Sequence, residues 1–539
     1  MIGKMTKKKQ QRKKKKHAKK GKNFWGWVIV GCVLGVITAT VVIILVYASN
    51  SWGLKGVKFS EESGFYGVDT EIEIVPDGVL LMQPIEIKYN MNGDDLANTS
   101  ERFEETMKLE VPETGYKLYT ITAQACKTSD ECTTPQVATY ILGKNLDEDI
   151  TIDVININSA QKNLYDYNTG IMVGGRIYDL NYPINQNGYV EGNYNARGKN
   201  WMREAYITLF DANGKYLAWD QDAYIEISGG TSSAYNVKSM KITLYPENVE
   251  DADYMRTFRL RSGSQDQFTG NIRSSVVSRL VEESGFDGGT DTQRVVVFLN
   301  GEYYGIFDMQ RNFSEHNLAQ EFGIEKENRI KKYKGSEKTV FEKFELSDEL
   351  WDNLDELENR ERLENVIDMD DYLQYFAVQI LFNNTDWPMN NFEAWRVNGK
   401  NRTDNKYEDG RIRFLVYDTD LIYYNEEGIL WFEGSIGDIF KYLMEGKYNG
   451  TGSTFKKVME SEYYRAKFII LLEELLDGPF ATENVLKVIN EEAEKIDHQV
   501  KLFSSDEEYQ EWSENVEMMK RAAAERENEV RFDIEEYLK

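Results

Sequence analysis

Histidine and cysteine are almost missing: 539 residues hold three of each. His17, His316 and His498 are too few and too scattered for a histidine-built metal centre or a nucleophilic triad. Cys32, Cys126 and Cys132 cannot build a cysteine-rich zinc site. Acids are missing from residues 1–23, which carry twelve Lys and Arg. Cations are short everywhere else, because removing those twelve charges from the net −27 leaves about −39 on the remainder. Such a body repels a phosphate backbone, so no nucleic-acid partner is expected. What the chain has in quantity is packing material. Apolar residues make up 41%, with 25 Phe, 33 Tyr and 10 Trp, which excludes a disordered chain. Its length calls for roughly two to four domains.

Charge is also absent from Phe24 to Ala48, a run of 25 residues. That length spans a bilayer with some tilt, and Trp25, Trp27 and Tyr47 stand at its ends as interfacial aromatics do. A signal peptide is the competing reading, with Ala48-Ser49-Asn50 a faint cleavage site. The expectation is a single-pass cell-membrane protein. Residues 1–23 are its basic cytoplasmic tail, 24–48 its transmembrane helix in the lipid bilayer, and the bulk is extracellular. In an oxidising exterior Cys126 and Cys132 are expected to close a disulfide around Lys127 to Glu131, two free thiols being the alternative.

Residues 54–143 read as an all-β module. Tyr116 to Ala125 and Gln136 to Ile141 alternate β-branched and aromatic residues as half-buried strands do. The segment resembles the small immunoglobulin-like sandwich of chitobiase-type glycosidases. A stalk is its expected role, with carbohydrate binding as the alternative.

The chemistry gathers further on. Asn383-Asn384-Thr385-Asp386-Trp387-Pro388-Met389-Asn390-Asn391 ends an apolar run with a carboxylate and, five residues later, a carboxamide. Arg413-Phe414-Leu415-Val416-Tyr417-Asp418-Thr419-Asp420 is a strand-like run ending in two more carboxylates. In protein kinases a catalytic-loop Asp accepts the substrate proton, an Asn five residues on holds Mg²⁺, and a later Asp holds the metal bridging the phosphates. The bland alternative is a turn at Asp386 and a strand cap at Asp418 and Asp420.

Between the β-module and these loops lie Glu204 to Asp211 turning at Asn213-Gly214, Asp222 to Gly230, Lys238-Ser239-Met240-Lys241, Phe258 to Gly263 leading to Ile272-Arg273, and Val295 to Ile306. In this order, and with the two acidic loops, they resemble the spore coat protein H (CotH) kinase family. The resemblance covers about 155 to 500. It implies an α+β, atypical protein-kinase-like domain over 150–539, with a β-rich N-lobe and a helical C-lobe. A helix ending at Asn383, and helices from Ile436 to Met444, Phe455 to Leu476 and Glu483 to Lys539 with a break near Phe503-Ser504-Ser505, fit that C-lobe.

The resemblance also implies roles. ATP or another nucleotide would give its γ-phosphoryl group to a Ser or Thr of a protein substrate at the cell surface or envelope. Asp386 would be the general base, and Asn391, Asp418 and Asp420 would hold Mg²⁺ or Mn²⁺. Lys238 and the Gly229-Gly230 loop would contact the phosphates. The chain departs from the family pattern at Ala234, Ser274 and Arg311. The last stands where a Glu commonly orients the phosphate-binding Lys, and Glu315 is the nearby substitute. Two other readings remain: a surface scaffold with this fold and no catalysis, and a polysaccharide-associated protein using the acids at Asp418 and Asp420.

Overall fold

The computed structural model describes residues 53–539 apart from 79–84, 92, 94–100, 104–105, 129–130, 183–188, 214, 246–256, 400–403, 425–437 and 446–452. The basic tail 1–23, the proposed span 24–48 and Gly214 of the expected turn lie outside the described residues.

Strands from Gly56–Phe59 to Gln136–Gly143 make up the first region, with Tyr116–Thr128 pairing on one side with Gln136–Gly143 and on the other with Glu86–Asn90. Cys126 and Cys132 face each other across antiparallel strands and are joined, S–S 2.08 Å. This region does not dangle. Its Thr139 hydroxyl meets that of Thr208 at 3.2 Å, and its Thr120 and Thr122 hydroxyls accept from Asn156 (2.9 Å) and Asn158 (3.2 Å).

Those partners belong to a closed barrel of β1 (Asp153–Asn158), β2 (Arg203–Asp211), β3 (Tyr216–Ile227), β4 (Met240–Leu244), β5 (Thr257–Arg261), β6 (Thr292–Leu299) and β7 (Glu302–Arg311). Its order is β1-β2-β3-β4-β5-β7-β6, with β1 and β6 parallel. Period-two alternation explains the closure. Ile155, Ile157, Ile225, Ile242, Phe258, Leu260, Val295 and Val297 fill the interior, whereas Val154, Phe210, Val296 and Phe298 face outward and pack with Tyr116, Leu118 and Ile141. The β6–β7 turn falls at Asn300-Gly301, where φ is 53° and 82°, as the expected hairpin requires.

Helix α1 (Arg273–Glu283) separates β5 from β6. After the barrel come a three-stranded sheet, β8 (Ile330–Gly335), β9 (Phe392–Val397) and β10 (Arg413–Leu415), and a largely helical body with α2 (Met369–Phe382), α3 (Glu462–Leu476), α4 (Thr482–Phe503) and α5 (Asp506–Asp533). The expected stretch from Phe455 to Leu476 is divided at Ser461, and the expected break near Ser505 is a capping box with Glu508. Asp368 precedes α2 without a capping hydrogen bond from its side chain. It pairs instead with Arg413 at 2.8 Å.

A mixed α and β fold is thus present, but one expected element is corrected. Among the described residues no helix is long and apolar enough to cross a membrane. The long helices α4 and α5 each bury one stripe and carry charge elsewhere, as surface helices do. The expected transmembrane helix, and with it the single-pass cell-membrane location, is not supported.

Candidate functional site

Helix α2 is almost wholly buried, from Tyr372 through Phe382, and stops where Asn383 enters the left-handed region at φ 51°. The loop that follows is tied to the loop after β10. Thr385 N–H donates to Leu421 O at 3.3 Å, and Tyr423 N–H donates to Phe382 O at 3.1 Å. Trp387 anchors the first loop, its Nε1 donating to the buried Tyr375 hydroxyl at 2.7 Å. Asp386 and Asp418 are therefore delivered side by side by two loops that cannot move independently.

The two carboxyl groups have different company. Asp386 is half-buried and accepts from Asn390 Nδ2 (2.9 Å) and Asn391 Nδ2 (2.7 Å). Burial raises its pKa above the ordinary value, and the Asp418 charge adds to that, while the two carboxamides oppose it. Asn391 takes φ 56°, and Asp418 takes φ 57°. Asn and Asp tolerate the left-handed region better than most residues, and here it turns both side chains into the cleft.

Asp418 Oδ1 lies 2.5 Å from Arg261 Nη2, and the same nitrogen lies 3.4 Å from Asp420 Oδ1. Burial would raise the pKa of Asp418, but the guanidinium outweighs it and holds the carboxyl below its usual value. Asp420 sits deeper, accepts from Gln265 N–H at 3.1 Å, and is pushed up by burial and by Asp418. These two acids share one cation and do not face each other across a gap, as a glycosidase pair would.

Asn391, Asp418 and Asp420 offer only oxygen donors, which suits Mg²⁺ or Mn²⁺. Among the described residues no set of three or more His, Cys, Asp or Glu gathers as a cation site. The oxygen chemistry of these three side chains nevertheless suits such a cation.

Above the two acids lies the turn after β3. Gly229 adopts φ 111°, and a Cβ there would meet Ser232 Oγ at 2.8 Å, so only glycine fits. Gly230 faces open space. Arg197 Nη2 braces the turn by donating to Gly229 O at 2.7 Å. Gly229, Gly230, Asp386, Asn391 and Asp418 line one cleft of about 710 Å³ between barrel and helical body. Asp420 lies just behind it.

Lys238 is not among the lining residues. Its ammonium is buried, donates to Ser233 O (2.9 Å) and Tyr235 O (2.5 Å), and sits 4.7 Å from the centre of the Tyr194 ring. Burial without a carboxylate lowers its pKa to about 8. It props the loop from below. The nearby lysine that does line the cleft, together with Lys334, is Lys241, opposite Glu226 in the β3–β4 register and 3.3 Å from its Oε2. Arg311 is far from repelling Lys238, since it is paired with Glu321 and lies 3.6 Å from Asp291.

Sequence reasoning missed Lys241, Arg259, Arg261 and Lys334, all of which line the cleft. A signal existed for two of them. In Phe258-Arg259-Leu260-Arg261 the apolar residues point into the barrel, so strand alternation puts both arginines on the opposite face. With Arg197, five cations line the cleft against Glu226, Asp386 and Asp418. The cleft is basic in a strongly acidic protein, and that arrangement attracts an anion.

Residues 225–530 match the family described as CotH kinase protein. No protein of curated function matches the chain. A crystal structure of a Helicobacter pylori proinflammatory kinase, CtkA, overlaps it at 12% identity, covering 54% of this chain and 95% of that one with a TM-score of 0.26.

Proposed function

Because this chain belongs to the CotH kinase protein family, we propose that it transfers the γ-phosphoryl group of a nucleotide, ATP foremost, to a Ser or Thr hydroxyl of a protein substrate. One observation carries the reading: Asp386, Asn391, Asp418 and the Gly229-Gly230 turn line the same cation-rich cleft. Asp386 takes the hydroxyl proton. Its two carboxamide partners fix the carboxylate's orientation while each oxygen keeps a lone pair for the substrate. Asn391, Asp418 and Asp420 would hold a divalent cation, which when bound would draw charge from the phosphate oxygens. The open backbone at Gly230 lets the phosphates approach closely.

The test is phosphate transfer from γ-labelled ATP to the chain itself or to a casein-like acceptor, with Mg²⁺ or Mn²⁺, in the wild type and in Asp386→Ala. Label that depends on both the metal and Asp386 supports the reading. Label unchanged in Asp386→Ala sinks the assignment of the base. A non-catalytic scaffold is the second reading, favoured by the Arg261 guanidinium already seated on Asp418. It predicts a folded wild type that neither labels nor binds nucleotide.

For residues 54–143 we propose the immunoglobulin-like, chitobiase-type module, with the kinase domain over 150–539. Limited proteolysis that cuts first between 143 and 150 supports this division. First cuts elsewhere oppose it.

A further inference from the structure

Most cations of the cleft are already committed. Arg261 is held by Asp418 and Asp420, Lys241 by Glu226, and Arg197 by the carbonyls of Tyr194 and Gly229. Arg259 and Lys334 differ. Among the described residues neither has a carboxylate partner, and both are held over the ring of Tyr417, at 5.4 Å and 5.0 Å from its centre. Arg259 Nε is in addition buried with no hydrogen-bond partner. A buried donor left unmatched is free to take a ligand atom or a water.

The two come from opposite sides. Arg259 is on β5 of the barrel, and Lys334 is on β8 of the sheet that packs with the helical body. They converge on the residue that precedes Asp418, and the Arg259 charge reaches the Asp418 carboxyl. An anion lying along Tyr417 would thus touch both halves of the molecule and run on toward the metal-holding carboxylate.

Resting on the kinase reading above, we propose that Arg259 and Lys334 form an inter-lobe clamp for the phosphate chain of the nucleotide, with Tyr417 as the platform that holds both cations in place. The clamp assigns phosphate recognition to residues from both lobes and leaves Lys238 as a support of the glycine turn. Arginine supplies a directed fork and lysine a mobile point charge, so a di- or triphosphate can bridge them.

Titration calorimetry of the full chain tests this with ATP and with inorganic tripolyphosphate as the probes. Arg259→Met and Lys334→Met should each weaken both ligands on the order of tenfold or more, the scale of one charge-assisted hydrogen bond. The double variant should lose less than the product of the two, because both cations grip one anion. Arg259→Lys and Lys334→Arg should keep most of the affinity. Lys108→Met, which removes the same charge from the first β region, should change nothing. Wild-type affinity for tripolyphosphate in Lys334→Met or in a cooperatively melting Arg259→Met overturns the clamp, while ATP binding by the wild type keeps the kinase reading. A wild type that binds neither probe overturns both.

Discussion

Asp386 and Asp418 stand on adjoining loops, yet one carboxyl group is held by two neutral carboxamides and the other by a guanidinium. Burial and the Asp418 charge keep the first more basic than an ordinary aspartate although its carboxamides pull the other way, and the guanidinium keeps the second more acidic. The difference teaches how one residue type can be suited to two roles. A proton acceptor benefits from a raised pKa and uncharged neighbours, while a metal-holding carboxylate must stay ionised. Burial pushes both carboxyls up, and only Asp418 has a cation that reverses it.

Several substitutions break or sharpen that contrast. The largest effect is expected from Asp418→Ala, which should abolish metal-dependent thermal stabilisation by ATP and with it all transfer; stabilisation equal to the wild type removes Asp418 from the metal. Asp386→Ala should bind nucleotide nearly as the wild type does and slow transfer by roughly 10²-fold or more, read from single-turnover labelling. Arg261→Met strips the cation from two buried acids and should destabilise the fold by about 3 kcal/mol in urea melts, with Mn²⁺ restoring part of the loss. If it melts as the wild type does, the guanidinium is not what keeps Asp418 ionised.

Two smaller effects follow from protonation. Asn390→Ala removes a donor whose hydrogen bond lowers the Asp386 pKa, so the acid limb of the rate profile should move to higher pH; a limb that stays put would separate Asp386 from the limiting proton step. Asp418 has a folded pKa below its unfolded one. Its contribution to stability is present above the unfolded value near 3.9 and is lost as pH falls through the folded value. Acid melts of the wild type and Asp418→Asn should converge below that window, and a constant gap would contradict the linkage.

Much of this was legible in the residue order. Asp386, Asn391 and Asp418 line one cleft because the first two are near in sequence and the buried α2 helix fixes their loop against the one after β10. The hairpin at Asn300-Gly301 and the cap at Ser505 are local signals, and local signals travel well from sequence to structure. Lys238 lies away from the cleft lining for a local reason too. Residues 231–239 are a 3₁₀ turn and loop whose carbonyls capture the ammonium, and regular alternation begins only at Met240, which brings Lys241 to the cleft. Lys334 depends on which strands meet across the lobes, and one sequence does not carry that.

The stretch from Thr482 onward has a consequence for biosynthesis. Gln499 on α4 accepts from the Tyr116 hydroxyl and donates to Asp149 O, Phe503 stacks on Tyr303 at 4.0 Å, and Arg526 on α5 donates to Ile380 O. One helical hairpin thus touches the first β region, the barrel and helix α2. A ribosome delivers it after everything it fastens. The nascent chain must wait with its three parts unbolted, and a stop codon early in α4 should release a protein in which all three joints are open at once.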